Sequence, residues 1–409
     1  MRVLLSTYAC RPNEGSEPGV GWNVVQQMTK YHQIWAITRE DNRPSIEAEL
    51  AKHPNPNLQF VYYDFPSWAT WWNKELRGVQ LHYYLWQIGI YFVVKKLHRE
   101  INFDLMHHVT YVKYWSPSFI ALLPVPFIWG PVGGGESTPQ TFWQAFTLRQ
   151  KTYETLRDIA RWVAERDWFV HQTAKHSVLA LATTKETAAR LQVLNVRKVE
   201  VVGQCGLNYQ EIEQLGNLPS APDFPIRFIS IGRLLHWKGF NLGLEAFASA
   251  KLNEAEYWIV GDGPERKRLE QQVEKLGISS QVTFWGKLPR QETLNKLGEC
   301  HVLVHPSLHD SGGFVCLEAM ASSLPVVCLD LGGPATMVTE ETGFKVAANE
   351  IIDTVSKLAD AMTCLSKEAE LRLRMGLAAQ SRIKELYNWE SKGKLLADIY
   401  QEIQEKSSK

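Results

Sequence analysis

"CHVLVHPSLHDSGGFVCLEAM", residues 300–320, sets an apolar run, a paired-glycine turn and a second apolar run in direct succession. The apolar run ending at Pro306 reads as a buried strand, and the run opening at Phe314 reads as a helix. Between them stand Asp310 and the pair Gly312-Gly313, with Glu318 one turn into the helix. In an open parallel sheet, ligands bind where strands hand over to helices. Paired glycines let the backbone turn freely and approach a ligand closely. The free amides of the next helix then suit an anion, most naturally a phosphate. Glu318 lies too deep to meet that anion but is placed for hydroxyls such as a ribose diol, and Asp310 faces whatever else is bound. The alternative is an ordinary strand–helix connection with solvated acids, and the neighbouring sequence weighs against it.

"SIGRLLHWKGFNLGLEAF" (230–247) follows another strand and brings Arg233 and Lys238 to its loop, a pair suited to a diphosphate. "IVGDGPERKRLE" (259–270) gives a strand, a Gly-Asp-Gly-Pro turn containing Gly261, and a charged helix. "TFWGKLPRQE" (283–292) gives a strand, a glycine and a stretch of backbone next to Leu288 and Pro289, fit to flank a flat base. Four successive strand ends carry ligand-type loops.

The first half repeats the alternation. Short apolar runs at 2–8, 33–38, 58–64, 105–111, 125–131 and 177–184 are mostly separated by helix-length segments, the pattern of a parallel sheet. A second series runs through 226–232, 255–261, 281–286, 300–306 and 324–330. Between the two lies "GNLPSAPDFPIR" (216–227), rich in proline and read as a linker. At 409 residues the chain exceeds one ordinary core, so two domains of roughly 150–200 residues are expected. The expected fold class is α/β: two doubly wound, Rossmann-like domains facing a central cleft. Their expected bounds are 1–215 and 216–386, followed by a terminal segment, 387–409.

Composition excludes several classes. Lys plus Arg equals Asp plus Glu at 44 each, so no net field draws the chain to nucleic acid. The six cysteines are scattered without metal-ligand spacing, as expected of buried thiols in a reducing compartment. The longest apolar region, 81–96, falls short of the ~20 residues that span a bilayer. "MRVLLSTYAC" reads as a first strand rather than a leader. A cytoplasmic protein is expected, with no bound metal.

The set "GRLLHWKG", "GDGP", "WGKLPRQE" and "DSGGFVCLEAMASSLPVVCLDLGGPATMV" resembles glycosyltransferase family 4, retaining sugar-nucleotide transferases of GT-B fold. The motifs cover most of residues 226–345 in the family's order. "DLMHH" and "IWGPVGGGE" (128–136) extend the likeness more loosely into the first half. The resemblance implies a nucleotide-sugar donor, with UDP-glucose the first guess, and an acceptor that the sequence does not identify. It implies that Arg233 and Lys238 hold the donor phosphates and that Lys287 and Leu288 flank the base. Glu318 would bind the ribose, while Ser311, Gly312, Gly313, Phe314 and Val315 meet sugar and phosphate through backbone amides. The first domain would bind the acceptor, and the terminal segment would return to pack on it. The family's acid pair is two glutamates, and here the first is Asp310, one methylene shorter, to which the sugar-facing role is still assigned.

The loop 11–28 resembles the family's glycine loop over the donor phosphates, through Gly19 and Gly21. A dinucleotide fingerprint fits poorly, because Val24 replaces its third glycine and the loop is long. His107 and His108 are read as ending a strand. One of them is expected near the sugar, His108 slightly favoured, against the alternative of packed histidines with local partners. The aromatic and basic stretches 66–99 and 141–169 suit sugar stacking, a lipid surface in peripheral contact, or simply core. Two other functions stay open: a sugar-nucleotide epimerase of the same fold, and a silent nucleotide-sugar binding protein.

Overall fold

A computed structural model of the chain describes residues 1–66 and 78–407. Among these, thirteen strands fall into two sheets, each of which is wholly parallel. The first sheet contains β1 (Arg2–Thr7), β2 (Gln33–Thr38), β3 (Leu58–Tyr62), β4 (Leu105–Thr110), β5 (Phe127–Val132), β6 (Ser177–Ala182) and β7 (Val199–Val201). The second contains β8 (Ile226–Ile231), β9 (Ala255–Val260), β10 (Val282–Gly286), β11 (Val302–His305), β12 (Val326–Leu329) and β13 (Gly343–Val346).

Their orders are β3-β2-β1-β4-β5-β6-β7 and β10-β9-β8-β11-β12-β13. Each order reverses once, between β1 and β4 and between β8 and β11. A doubly wound sheet opens a crevice at such a reversal, so the loops after β8 and β11 are where a ligand belongs. Every residue of β4, β5, β11 and β12 is buried, as a sheet covered on both faces requires. Alternation along β8 shows how. Ile226 and Phe228 enter one hydrophobic cluster with Leu244 and Phe247, and Ile229 enters another with Leu317 and Met320.

The chain divides into two compact units, and the division departs from the expected bounds. The first holds 1–135, 156–204 and 389–409, and the second holds 136–155 and 205–388. The change comes at 204 rather than 215 because the helix Tyr209–Gly216 buries Ile212 and Leu215 in the second unit's core. Phe142 and Phe146 likewise belong to that core, which draws 136–155 away from the first unit. The helix Trp389–Ser407 joins the first unit, where Lys392 Nζ bonds the Gly203 carbonyl.

Of the aromatic–basic stretch 66–99, residues 67–77 lie outside the described residues. From Val79 the chain is a helix to Ile101. Its buried residues His82, Tyr83, Trp86, Gln87, Ile90 and Val94 follow a helical period and form a core face.

Candidate functional site

Within the second unit, the loops after β8 and β11 are tied together. Leu308 N donates to Trp237 O at 2.8 Å. A Cβ on Gly239 would come within 1.9 Å of Pro306 O, and Gly239 has φ +68°, so only glycine fits this approach. That contact sets the turn His236–Lys238 beside residues 306–310 and brings Lys238 Nζ to 2.5 Å from Asp310 Oδ2.

Asp310 has further partners. His305 Nε2 lies 3.2 Å from the same oxygen, and Oδ1 accepts from Gly312 N and Gly313 N, each at 3.2 Å. Burial alone would raise its pKa, but the His305 hydrogen bond and the Lys238 charge override it and hold the carboxyl well below the usual range. His305 is lowered by its own burial, against the pull of Asp310. An aspartate is of a length to fold back on amides two and three residues on, as at a helix start. The one-methylene departure thus has a structural use: Asp310 caps the turn expected to receive the phosphate.

Gly313 turns at φ +68° into the helix Phe314–Ala321, where Phe314 and Val315 are half-buried. Ser311 Oγ donates to Glu136 Oε2 at 2.5 Å, and Glu136 is buried. Glu318, also buried, meets Arg290 Nη1 at 2.8 Å. Burial raises its pKa and Arg290 opposes the rise. Arg290 opens the helix Arg290–Gly298, just after the exposed Lys287 and half-buried Leu288, so the expected base and ribose residues share one neighbourhood. Arg233 is exposed on the β8 loop. Gly261 packs on it from the next strand end, where a Cβ would reach Gly232 O at 1.9 Å. His236 and His309 lie 2.9 and 3.7 Å from Glu154 Oε1, and Trp237 stacks on His309.

The first unit corrects two expectations. The glycine loop is mostly helix, Ser16–Met28, with Gly19 and Gly21 inside it. A Cβ would meet Glu14 O at 2.0 Å from Gly19 and Ala9 O at 2.2 Å from Gly21. These glycines therefore let the helix close on its own preceding loop. His107 and His108 do not end their strand, because β4 continues to Thr110, and neither is exposed to solvent. His107 Nε2 bonds the Gly130 carbonyl, which can only accept, so Nδ1 accepts from Tyr400 Oη at 2.5 Å. Burial, partly offset by the Gly130 bond, lowers its pKa to about 4. His108 Nε2 lies 3.2 Å from Tyr83 Oη and from Gln87 Nε2, and burial with the neighbouring His107 lowers it to about 3.

Sequence reasoning missed a polar group past the ends of β1 and β4. Glu17 Oε1 accepts from Tyr111 N at 3.2 Å, and its pKa is raised, chiefly by burial. Lys113 is lowered to about 8 by burial, against the attraction of Glu17. Tyr111 turns at φ +64°, a backbone state unusual for a side chain of this size. His305, Glu136, Glu154 and Arg290 were also missed, although Glu136 ends the quoted "GPVGGGE".

Residues 219–382 match the family described as glycosyl transferases group 1. The 2-deoxystreptamine N-acetyl-D-glucosaminyltransferase of Streptomyces fradiae is 25% identical over 331 residues, 76% of this chain and 71% of that protein. The alpha-D-kanosaminyltransferase of Streptomyces kanamyceticus is 32% identical over 44% of this chain and 46% of its own length. Several further curated relatives are matched over half their length or less. Among solved structures, sucrose-phosphate synthase from Thermosynechococcus elongatus superposes with a TM-score of 0.62 at 18% identity, covering 98% of both chains. Anabaena HepE, solved in complex with UDP and glucose, gives 0.57 at 17% identity, covering 98% of this chain and 100% of that one. Residues 219–382 form a domain of the glycosyl transferases group 1 family, and the chain is a glycosyltransferase of GT-B fold.

Proposed function

We propose that the protein is a retaining glycosyltransferase that moves a sugar from a nucleoside diphosphate sugar to an acceptor hydroxyl without a bound metal. The observation that carries this reading is the Lys238–Asp310–Gly313 arrangement at the sheet reversal. A cation and a helix start stand together there, both held by a carboxylate that an incoming diphosphate can replace. Lys238 and Arg233 would supply the positive charge for the leaving diphosphate. UDP-glucose is the first donor to try, supported by the UDP and glucose named for HepE.

In the transfer, the bond from the anomeric carbon to the diphosphate oxygen breaks and a bond to the acceptor oxygen forms on the same face. The acceptor proton passes to the leaving phosphate oxygen. Asp310, Ser311 and the residue 312–315 backbone would position the sugar, with Glu318 on the ribose and Leu288 beside the base. For Gly19, Gly21, His107 and His108 the reading narrows to shaping the first unit, which we take as the acceptor side. The protein is read as cytoplasmic and in peripheral contact with a membrane.

The test incubates the protein with a panel of nucleotide sugars and follows free nucleoside diphosphate, with and without cell extract as acceptor. Acceptor-dependent release is expected. A sugar altered without release would assign an epimerase instead, and binding without either change would assign a silent protein.

A further inference from the structure

The helix Leu148–Ala164 is turned inside out. Gln150, Glu154 and Arg161 are buried, while Leu156, Ile159, Trp162 and Val163 are 52–61% exposed. Trp168, opening the helix Trp168–His176, is 62% exposed. Residues 156, 159 and 163 share one helical face and Trp162 flanks it. A helix facing water places such residues inward, and a contiguous apolar face of this kind marks a contact surface. Each buried polar group has a partner that keeps it inward. Gln150 Nε2 donates to Glu265 Oε1 at 2.7 Å, Glu154 accepts from His236, and the Arg161 guanidinium lies 4.8 Å from the Trp115 ring.

The charges around this face are mainly basic. Between 156 and 176 the charged residues exposed as whole residues are Arg166 and Lys175. Of the acids, Glu165 and Asp167 are turned to the protein, while the Asp158 side chain stays 46% exposed beside Arg161. Asp158 lies 3.9 Å from Arg161, Glu165 accepts from Tyr114 Oη at 2.6 Å, and Asp167 accepts from Tyr84 Oη at 2.9 Å. Arg166 stacks on Trp162 at 3.6 Å, which puts a cation and an indole together at the edge of the apolar face. A second copy of the chain would set these cations against each other. Phosphate headgroups above acyl chains complement both features, since indoles settle at that depth and basic side chains reach the phosphates. Among the described residues, no helix is long and apolar enough to cross a membrane.

We propose that this face, Leu156, Ile159, Trp162, Val163 and Trp168 rimmed by Arg166 and Lys175, docks on an anionic lipid surface. The proposal rests on the peripheral-membrane reading above and names its surface and its lipid charge.

The test sediments the full chain with phosphatidylcholine vesicles, with and without phosphatidylglycerol. The chain should pellet with the anionic vesicles, and less so as salt rises. The combined variant Ile159→Asn, Trp162→Gln, Val163→Asn should partition about tenfold or more weakly. Arg166→Gln with Lys175→Gln should lose about tenfold on anionic vesicles alone. All these positions are exposed, and an unchanged melting curve would verify that the variants fold. Wild-type protein that stays in the supernatant with both vesicles, or a triple variant that binds like wild type, would overturn the proposal. So would a concentration-dependent dimer that the triple variant abolishes, because the face would then belong to a second copy. The readout is binding, so its failure is separable from failure of the diphosphate-release assay.

Discussion

Lys238 and Asp310 form a largely buried ion pair, 2.5 Å apart, across the two loops at the reversal of the second sheet, with side chains 21% and 17% exposed. Arg233, on the same loop as Lys238, is exposed instead. The two cations should therefore fail differently. Lys238→Ala should cut turnover about 10²-fold or more. It should also destabilise the protein by about 3 kcal/mol, because a buried carboxylate loses its partner. Arg233→Ala should lower turnover with less than about 0.5 kcal/mol of stability change, as for an exposed side chain. Steady-state kinetics and urea unfolding on both variants decide this. Equal stability losses, or full turnover in Lys238→Ala, would refute the assignment.

Asp310 ties stability to pH. Its folded pKa is depressed, so its contribution is fully present above the unfolded value and is lost as pH falls through the folded one. Asp310→Asn should therefore be less stable than wild type near neutrality, and the gap should close as pH drops below about 4. The variant should bind free nucleoside diphosphate at least as tightly as wild type, since it no longer sets a carboxylate against the phosphate for Lys238, yet it should turn over more slowly. Calorimetry and unfolding across pH would check both, and weakened nucleotide binding would contradict the exchange of carboxylate for diphosphate.

How much of this was legible in the sequence depends on what each feature needs. The strand runs and the loops at 230–247 and 308–320 were readable because burial on both faces and ligand-facing turns leave local signals. The edge strands β7, "VEV", and β13, "GFKV", are too short to carry a period. Gly19 and Gly21 looked like loop glycines, because a close backbone approach inside a helix calls for the same residue as an open turn. Arg290 and Glu318 are 28 positions apart, and Glu136 and Ser311 are 175 apart. No spacing rule reaches partners brought together only by the fold.

Glu318 gives a third test. Its carboxylate now meets Arg290, an exposed side chain that can swing away when a ribose diol arrives. A diol contact made equally in the ground and transition states affects binding rather than the chemical step. Glu318→Ala should weaken free nucleoside diphosphate by about tenfold or more, the scale of a lost charged hydrogen bond, with turnover at saturation within a few-fold of wild type. Calorimetry against kinetics separates the two, and a loss confined to turnover would remove the ribose assignment.

His107 is held neutral within the first unit by burial, with Nε2 on the Gly130 carbonyl and Nδ1 on Tyr400. Its folded pKa of about 4 lies below the ordinary imidazole value of 6.5, so the unfolded chain binds the proton first as pH falls. Stability should therefore be fully present above pH 6.5 and decline until about pH 4, where the folded ring protonates as well. Each unit of separation is about 1.4 kcal/mol. His108, lowered to about 3, adds to the same slope. His107→Gln should lose about 1–3 kcal/mol at neutral pH through an imperfect match to Tyr400 and Gly130. It should also decline less steeply between pH 6.5 and 4, the remaining slope coming from His108 and other groups. Urea unfolding at half-unit pH steps, followed by tryptophan fluorescence, measures both effects. A wild-type stability that stays flat across that window, or a variant with an unchanged slope, would mean that His107 is not held neutral by the fold, and its role as a tie between β4 and the terminal helix would need another basis.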